Sequence, residues 1–387
     1  MDRAPGIRRI ANAGDPVSGR VDRNRRRILA GSVATLLLPL LPSGVFAAGA
    51  LVPSRQRGSA QRNVRAFGAT GDGTTDDTAA IQRAVDSLPA AGGTVLIPQG
   101  KYRIDALRSL RLRSNMHLHL ADGASLVAIP NAAPRAYMVL IKDATDVEVS
   151  GGEVVGDRDQ HLDTKGEWGF GITVRGSCSR VTLRDIKVSR CWGDGICIGS
   201  TRSTPAHPVD ASNDIVIARV VCTGNRRQGL TIARVRNVRV YDSEFSDTSG
   251  TAPSAGIDIE PDAPTSAEDI LIQGCRVRGN RGPGIQVYKR VSGVMIDRCT
   301  ISDNKNVGVL VVGAADTTIR RSTLSGNGQH GISLQGNAEK VLISGNVIRD
   351  NARHTFAGLF GNPTWQAQIR IGDDARSVRL QPDNVGR

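Results

Sequence analysis

Apolar and polar residues alternate in short bursts along this chain, and each burst opens with glycine. Gly-Ile-Thr-Val begins at Gly171, Gly-Ile-Cys-Ile at Gly195, Gly-Leu-Thr-Ile at Gly229 and Gly-Ile-Asp-Ile at Gly256. Gly-Ile-Gln-Val, Gly-Val-Leu-Val and Gly-Ile-Ser-Leu follow at Gly284, Gly308 and Gly331. Period-two alternation marks a half-buried strand. The seven glycines stand 24, 34, 27, 28, 24 and 23 residues apart. A period in the twenties, stretched by insertions, predicts a solenoid in which each repeat is one coil. Glycine ahead of each strand predicts a tight turn. Further upstream, Ile270-Leu271-Ile272, Val294-Met295-Ile296 and Val341-Leu342-Ile343 are also strand-like. Asn225, Asn280, Asn304 and Asn327 each stand four residues before a glycine. Their column predicts a ladder that satisfies polar groups inside the coil, with no catalytic part. The expected fold is therefore all-β, a single-stranded parallel β-helix.

Stacking turns the sequence into a grid, because equivalent residues of successive coils lie ~4.8 Å apart. In each Gly-Ile-x-Ile-x phrase the Ile residues point inward and the x residues outward. The outward pairs are Thr173 and Arg175, Cys197 and Gly199, Thr231 and Ala233, Asp258 and Glu260, Gln286 and Tyr288, Leu310 and Val312, Ser333 and Gln335. One coil presents two carboxylates, Asp258 and Glu260, with Cα atoms ~6.6 Å apart. Glycoside hydrolysis uses carboxyl pairs about 5–5.5 Å apart for retention and about 6.5–9.5 Å for inversion. The expected roles are Glu260 as general acid, its pKa raised by its neighbour, and Asp258 as base. Asp194, one residue before its glycine, is a substitute for either. Insertions at 156–168, 200–213 and 248–255 are expected to wall a cleft across this coil. Candidate substrate-binding residues are Arg227, Gln228, Arg234, Tyr288 and Lys289. Trp168 and Trp192, each three residues before a glycine, are expected to hold sugar faces.

Charge and the N-terminal segment add a setting. The chain carries a formal +13. Residues 1–47 hold eight Arg and three Asp, leaving about +8 on the rest. That balance suits an acidic polysaccharide, and no nucleic-acid motif or aromatic stacking platform accompanies it. Asn24-Arg25-Arg26-Arg27-Ile28-Leu29, then an apolar run, then Val45-Phe46-Ala47-Ala48, reads as an export signal of twin-arginine type. Cleavage is expected after Ala47, with Ala48 the next choice, followed by a linker over 48–62. The mature chain is expected in the periplasm or outside the cell, with no stable membrane insertion. The six cysteines include no Cys-x-x-Cys pair and are expected to be small apolar fillers, not disulfides or metal ligands.

From residue 63 the chain changes character. Asp76 or Thr75 is a candidate N-cap for a helix whose apolar face is Ala80, Ile81, Ala84, Val85 and Leu88. Gly92-Gly93-Thr94-Val95-Leu96-Ile97 then reads as turn and buried strand. Such a unit covers the open end of a coil. Asp72, Asp76 and Asp77 are expected to serve turns and caps, not a metal.

Phe67-Gly68-Ala69, Gly71-Asp72-Gly73, Asp76-Asp77-Thr78 and Ile81-Gln82 resemble the opening of the pectate-lyase-like superfamily, in its rhamnogalacturonase and epimerase-like branch. With the repeats, the resemblance covers roughly residues 60–380. It implies a right-handed parallel β-helix over 63–387, with a helix cap over 63–102, that cleaves or modifies polysaccharide. The polygalacturonase residues do not transfer. Gly193-Asp194-Gly195 only faintly resembles the Asn-Thr-Asp run, and Arg370-Ile371-Gly372 lacks the expected Lys. The epimerase pattern Asp-Pro-His is missing, with Asp258-Ile259-Glu260-Pro261 in the nearest likeness. The leading expectation is a glycoside hydrolase working without a cofactor. The alternatives are a uronate lyase or epimerase, in which Asp258 and Glu260 bind calcium, and a non-catalytic carbohydrate-binding module of the cell envelope.

Overall fold

The computed structural model describes residues 52–199, 210–352 and 368–386. The predicted export signal lies outside them, as does most of the 200–213 insertion. Three parallel sheets of 12, 11 and 10 strands run the length of the described chain. The first runs from Ala60–Asn63 to Arg379–Leu380, the second from Asp72–Asp76 to Val347–Arg349, and the third from Leu110–Leu112 to Ile369–Ile371. Successive coils supply successive strands to each sheet. This is the expected right-handed parallel β-helix.

The third sheet is built from the glycine phrases, in the expected register. Thr173 pairs with Cys197, Cys197 with Thr231, Thr231 with Asp258, Asp258 with Gln286, Gln286 with Leu310 and Leu310 with Ser333. The inward residues Ile172, Ile196, Leu230, Ile257, Ile285 and Ile332 are fully buried. Each such side chain contributes about 1.5–3 kcal/mol by leaving water.

The glycines serve a different purpose from the one expected. None of the seven phrase glycines has a left-handed φ. What they lack is room. A Cβ at Gly308 would lie 2.5 Å from the Gly331 carbonyl oxygen, and one at Gly284 would lie 2.6 Å from that of Gly308. Glycine is required because neighbouring coils approach too closely for any side chain.

The Asn column is a continuous ladder over the later coils. The Nδ2 of Asn280 donates to Oδ1 of Asn304 (2.9 Å), that of Asn304 to Asn327 (2.9 Å) and that of Asn327 to Asn351 (2.8 Å). Asn351 closes the run on Oε1 of Gln368 (2.9 Å). The same amides also donate to backbone carbonyls inside the coil. Thr248 takes the Asn place between Asn225 and Asn280, and there the ladder breaks, leaving Nδ2 of Asn225 without a partner. All six cysteines are buried free thiols.

At the N-terminal end the helix Thr78–Asp86 turns Ala80, Ile81, Ala84 and Val85 inward. Oδ1 of Asp76 accepts from the Thr78 amide (3.0 Å), but the N-cap position falls on Asp77, one residue after the expected Asp76. Asp77 instead folds the preceding loop, accepting from the amides of Thr70 (2.6 Å) and Gly71 (3.0 Å). Asp72 closes a turn on the amides of Thr74 and Thr75. Ahead of the cap, an arm lies across the outer face of the first sheet. Arg55 donates to Thr182 (2.7 Å) and Asp214 (2.8 Å), and Arg57 donates to Glu148 (2.9 Å).

Replacing Asn304 by Ala removes side-chain bonds to both neighbouring coils and strips the backbone and side-chain amides of Asn280 of their Asn304 acceptor, while Oδ1 of Asn327 keeps its bond from the Asn304 amide. A loss of about 3 kcal/mol is expected in urea unfolding. The exposed neighbouring change Lys305→Ala should stay within about 0.5 kcal/mol. Equal effects from the two would remove the ladder from the account of stability.

Candidate active site

The insertion at 156–168 ends in a long third-sheet strand, Trp168–Arg175, which pairs with Arg135–Lys142. These two strands and the coils after them enclose a pocket of about 160 Å³. Arg135, Tyr137, Trp168, Arg175, Arg227 and Glu260 line it. Cys197 and Thr231, outward residues of adjacent coils, form part of its floor. The Arg135 guanidinium lies over the Trp168 ring at 4.9 Å. Nη1 of Arg175 donates to the Tyr137 hydroxyl at 2.8 Å.

Beneath the pocket lie two buried carboxyls around one arginine. Asp194 is fully buried and accepts from Nη1 of Arg227 (3.1 Å) and Oγ1 of Thr231 (2.8 Å). Burial pushes its pKa up to about 6, against the pull of Arg227. Asp258 is buried, with each oxygen clamped by an amide. Gln228 donates to Oδ2 at 2.7 Å and Gln286 to Oδ1 at 2.9 Å. Burial first, and the Glu260 charge second, push its pKa up to about 7. Arg227 also faces Glu167, whose Oε2 lies 3.8 Å from Nε.

The sequence-predicted residues therefore divide. Glu260, Arg227 and Trp168 line one pocket. Asp194 orients Arg227 and is sealed from solvent. The raised carboxyl is Asp258, the residue expected as base. Its burial contributes more to that rise than the neighbouring Glu260 charge does. Gln228 is a clamp on Asp258, with its own Oε1 accepting from the Ala255 amide (3.2 Å), and is not a substrate ligand. Both Asp258 oxygens, the expected calcium ligands, accept from these amide N–H donors. Among the described residues no cluster of His, Cys, Asp and Glu is arranged to hold a metal.

Trp192 is not a sugar platform. It is buried, with His161 parallel to it at 4.0 Å and Arg226 at 3.8 Å. Trp168 is already in strand and pairs in register with Arg135, whereas Trp192 lies ahead of the strand of its own coil, Ile196–Ile198. Tyr288 and Lys289 pack on each other, with Nζ 4.9 Å from the ring centre, and do not line the pocket. Arg234 lies outside the lining too, its Nη1 buried without a hydrogen-bond partner among the described residues.

Arg135, Tyr137, Arg175 and Glu167 were not singled out from sequence. Arg175 was present in the outward pairs. Arg135 and Tyr137 sit on a strand without the glycine phrase, so the glycine period passes over them.

Two family models match the chain. One is described as right handed beta helix region, over residues 253–364, and the other as rhamnogalacturonase A/epimerase, pectate lyase-like, over residues 61–119. Among solved structures, the A-module of mannuronan C-5 epimerase AlgE4 from Azotobacter vinelandii superposes with a TM-score of 0.65 at 21% identity. It covers 85% of this chain and 100% of that one. The two share one fold. In sequence the chain is 31% identical over 219 residues to the uncharacterized protein YclG of Bacillus subtilis, across 51% of this chain and 37% of that protein. It is 28% identical over 280 residues to mannuronan C5-epimerase AlgE5 of Azotobacter vinelandii, across 67% of this chain and 26% of that enzyme. The chain thus spans less than half the length of these curated relatives.

Folding raises the pKa of Asp258 from 3.8 to about 7, so the folded state holds more protons than the unfolded chain inside that window. The carboxyl's contribution to stability is greatest at low pH and falls as pH rises through the window. Asp258→Asn, which mimics the protonated form, should gain on the wild type between pH 5 and pH 8 by on the order of 2 kcal/mol. Denaturant unfolding at the two pH values checks this. A difference that does not change with pH would remove the buried-carboxyl assignment.

Proposed function

We propose that this chain is an exported enzyme acting on an acidic polysaccharide, with a uronate carboxylate bound by Arg135, Arg175 and Arg227. The observation that carries the reading is the meeting of three guanidinium groups, an exposed Trp and two carboxylates, Glu260 and Asp262, in a single pocket. Arginine forks match carboxylates in charge and geometry. Trp168 offers a flat face to a sugar ring. Similarity to enzymes named for C5 epimerisation of mannuronan supports the same substrate class.

The geometry favours proton transfer beside that carboxylate, the chemistry of a uronate lyase or epimerase. Arginines around the carboxylate stabilise the charge that develops when the neighbouring C–H proton leaves. Glu260 accepts that proton, and the electron pair passes into the carboxylate as an enediolate. The Tyr137 hydroxyl accepts a hydrogen bond from Arg175, so its own O–H is free to donate. Donation to the departing glycosidic oxygen completes an elimination. Donation to the carbon from the opposite face completes an epimerisation. Glycoside hydrolysis by the Asp258–Glu260 pair is the second reading. It is favoured by one observation: Asp258 keeps its proton up to about pH 7, two residues from Glu260.

Oligogalacturonate and oligomannuronate in D₂O distinguish these reactions. Deuterium at C5 without chain cleavage marks epimerisation, an unsaturated uronate chromophore marks elimination, and new reducing ends without it mark hydrolysis. Glu260→Gln should lower the rate by about 10²–10⁴-fold. Asp258→Asn should cost less than about tenfold under proton transfer and as much as Glu260→Gln under hydrolysis. Unchanged activity in Glu260→Gln would remove both readings.

A further inference from the structure

We propose that the 156–168 insertion is a strap that positions Trp168 in the pocket and Glu167 against Arg227, locked by stacking of His161 and Arg226 on Trp192. This rests on the pocket being the active site. His161 lies parallel to the Trp192 indole, with ring centres 4.0 Å apart and planes inclined by 13°. The Arg226 guanidinium lies 3.8 Å from the same ring centre. Two planar groups that close to one centre cannot share a face, so Trp192 is held between them. Nδ1 of His161 lies 2.8 Å from Oδ2 of Asp157. That oxygen also accepts from the Asn131 side chain at 3.0 Å.

The lock is tied to the pocket by short covalent paths. Nη1 of Arg226 donates to the Gly166 carbonyl at 2.9 Å and to that of Trp192 at 3.3 Å. The residue after Gly166 is Glu167, which faces Arg227, and the next is Trp168, which lines the pocket. The residue after Arg226 is Arg227 itself. Adjacent arginines on one turn thus hold the strap and the candidate carboxylate ligand. A second tie runs the other way, where Arg158 donates from the strap to the carbonyls of Gly224 (2.6 Å) and Asn225 (3.1 Å) and to Ser249 (3.1 Å). Gly169 completes the fit, because a Cβ there would lie 2.8 Å from Cβ of Trp192. Stacking and charge-assisted bonds act together on this segment and hold it in one conformation. His161 and Arg226 are accordingly positioning residues that act through Glu167, Trp168 and Arg227.

The test compares wild type, His161→Ala, His161→Phe, Trp168→Ala and the His161→Ala/Trp168→Ala double variant. Hydrogen exchange is followed by mass spectrometry, and affinity is measured for galacturonate and mannuronate hexamers. His161→Ala should speed exchange about tenfold in segments 163–170 and 223–230 while leaving the coils beyond 280 unchanged. His161→Phe, which keeps the stack, should recover most of the protection. Hexamer affinity should fall about tenfold in His161→Ala and in Trp168→Ala, with no further loss in the double variant. Additive losses, or faster exchange confined to 157–162, would overturn the proposal. If neither hexamer binds the wild type, the substrate reading fails. Exchange at 223–230 still decides the strap, faster exchange supporting it and unchanged exchange overturning it.

Discussion

The structure depends on how closely one coil sits on the next. At the glycine of each phrase the backbone of the following coil leaves no space for a methyl group. That contact locks the register of the third sheet, because a slip of one residue would drive a side chain into a carbonyl. With the register locked, buried Asn amides meet end to end, and every inward Ile or Val finds the same shelf of its neighbour. Hydrogen bonding along the ladder and apolar burial both follow from a spacing that only glycine permits.

The same rigidity makes the pocket costly and selective. Asp194 and Asp258 sit on coils whose backbone cannot yield, so neither moves into water to recover its solvation. Arg227 offsets part of that cost at Asp194, and two glutamine amides do so at Asp258. The result is a positively lined depression above a layer of half-neutralised acid. The three arginines share the pocket lining with the carboxylates of Glu260 and Asp262, while Asp194 underneath holds Arg227 in place.

Much of this was legible in the sequence. The outward grid read from the Gly-Ile-x-Ile phrases matches the strand register residue for residue, because parallel stacking leaves no freedom once the period is known. Glu260, Arg227 and Trp168 came from that grid and its borders. The grid says nothing of how far a side chain folds over its sheet, so the sealing of Asp258 by Gln228 and Gln286 was out of reach. Trp192 was misread for a related reason: counting back from the glycine gives its row but not its side-chain direction, and it is buried against His161 and Arg226 while Trp168 is exposed. Arg135 and Tyr137 lie on a coil that lacks the phrase altogether, where apolar packing replaces the glycine contact and leaves no sequence mark.

The arm at Arg55 and Arg57 carries a consequence for the order in which the molecule is assembled. Its partners Glu148, Thr182 and Asp214 belong to three successive coils. Arg55 and Asp214 are separated by 159 positions along the chain. On a ribosome the arm emerges early, yet its berth exists only once more than half of the chain has been made and wound. This early-synthesised arm is therefore among the later segments to settle, and its docking reports that the central coils are in place.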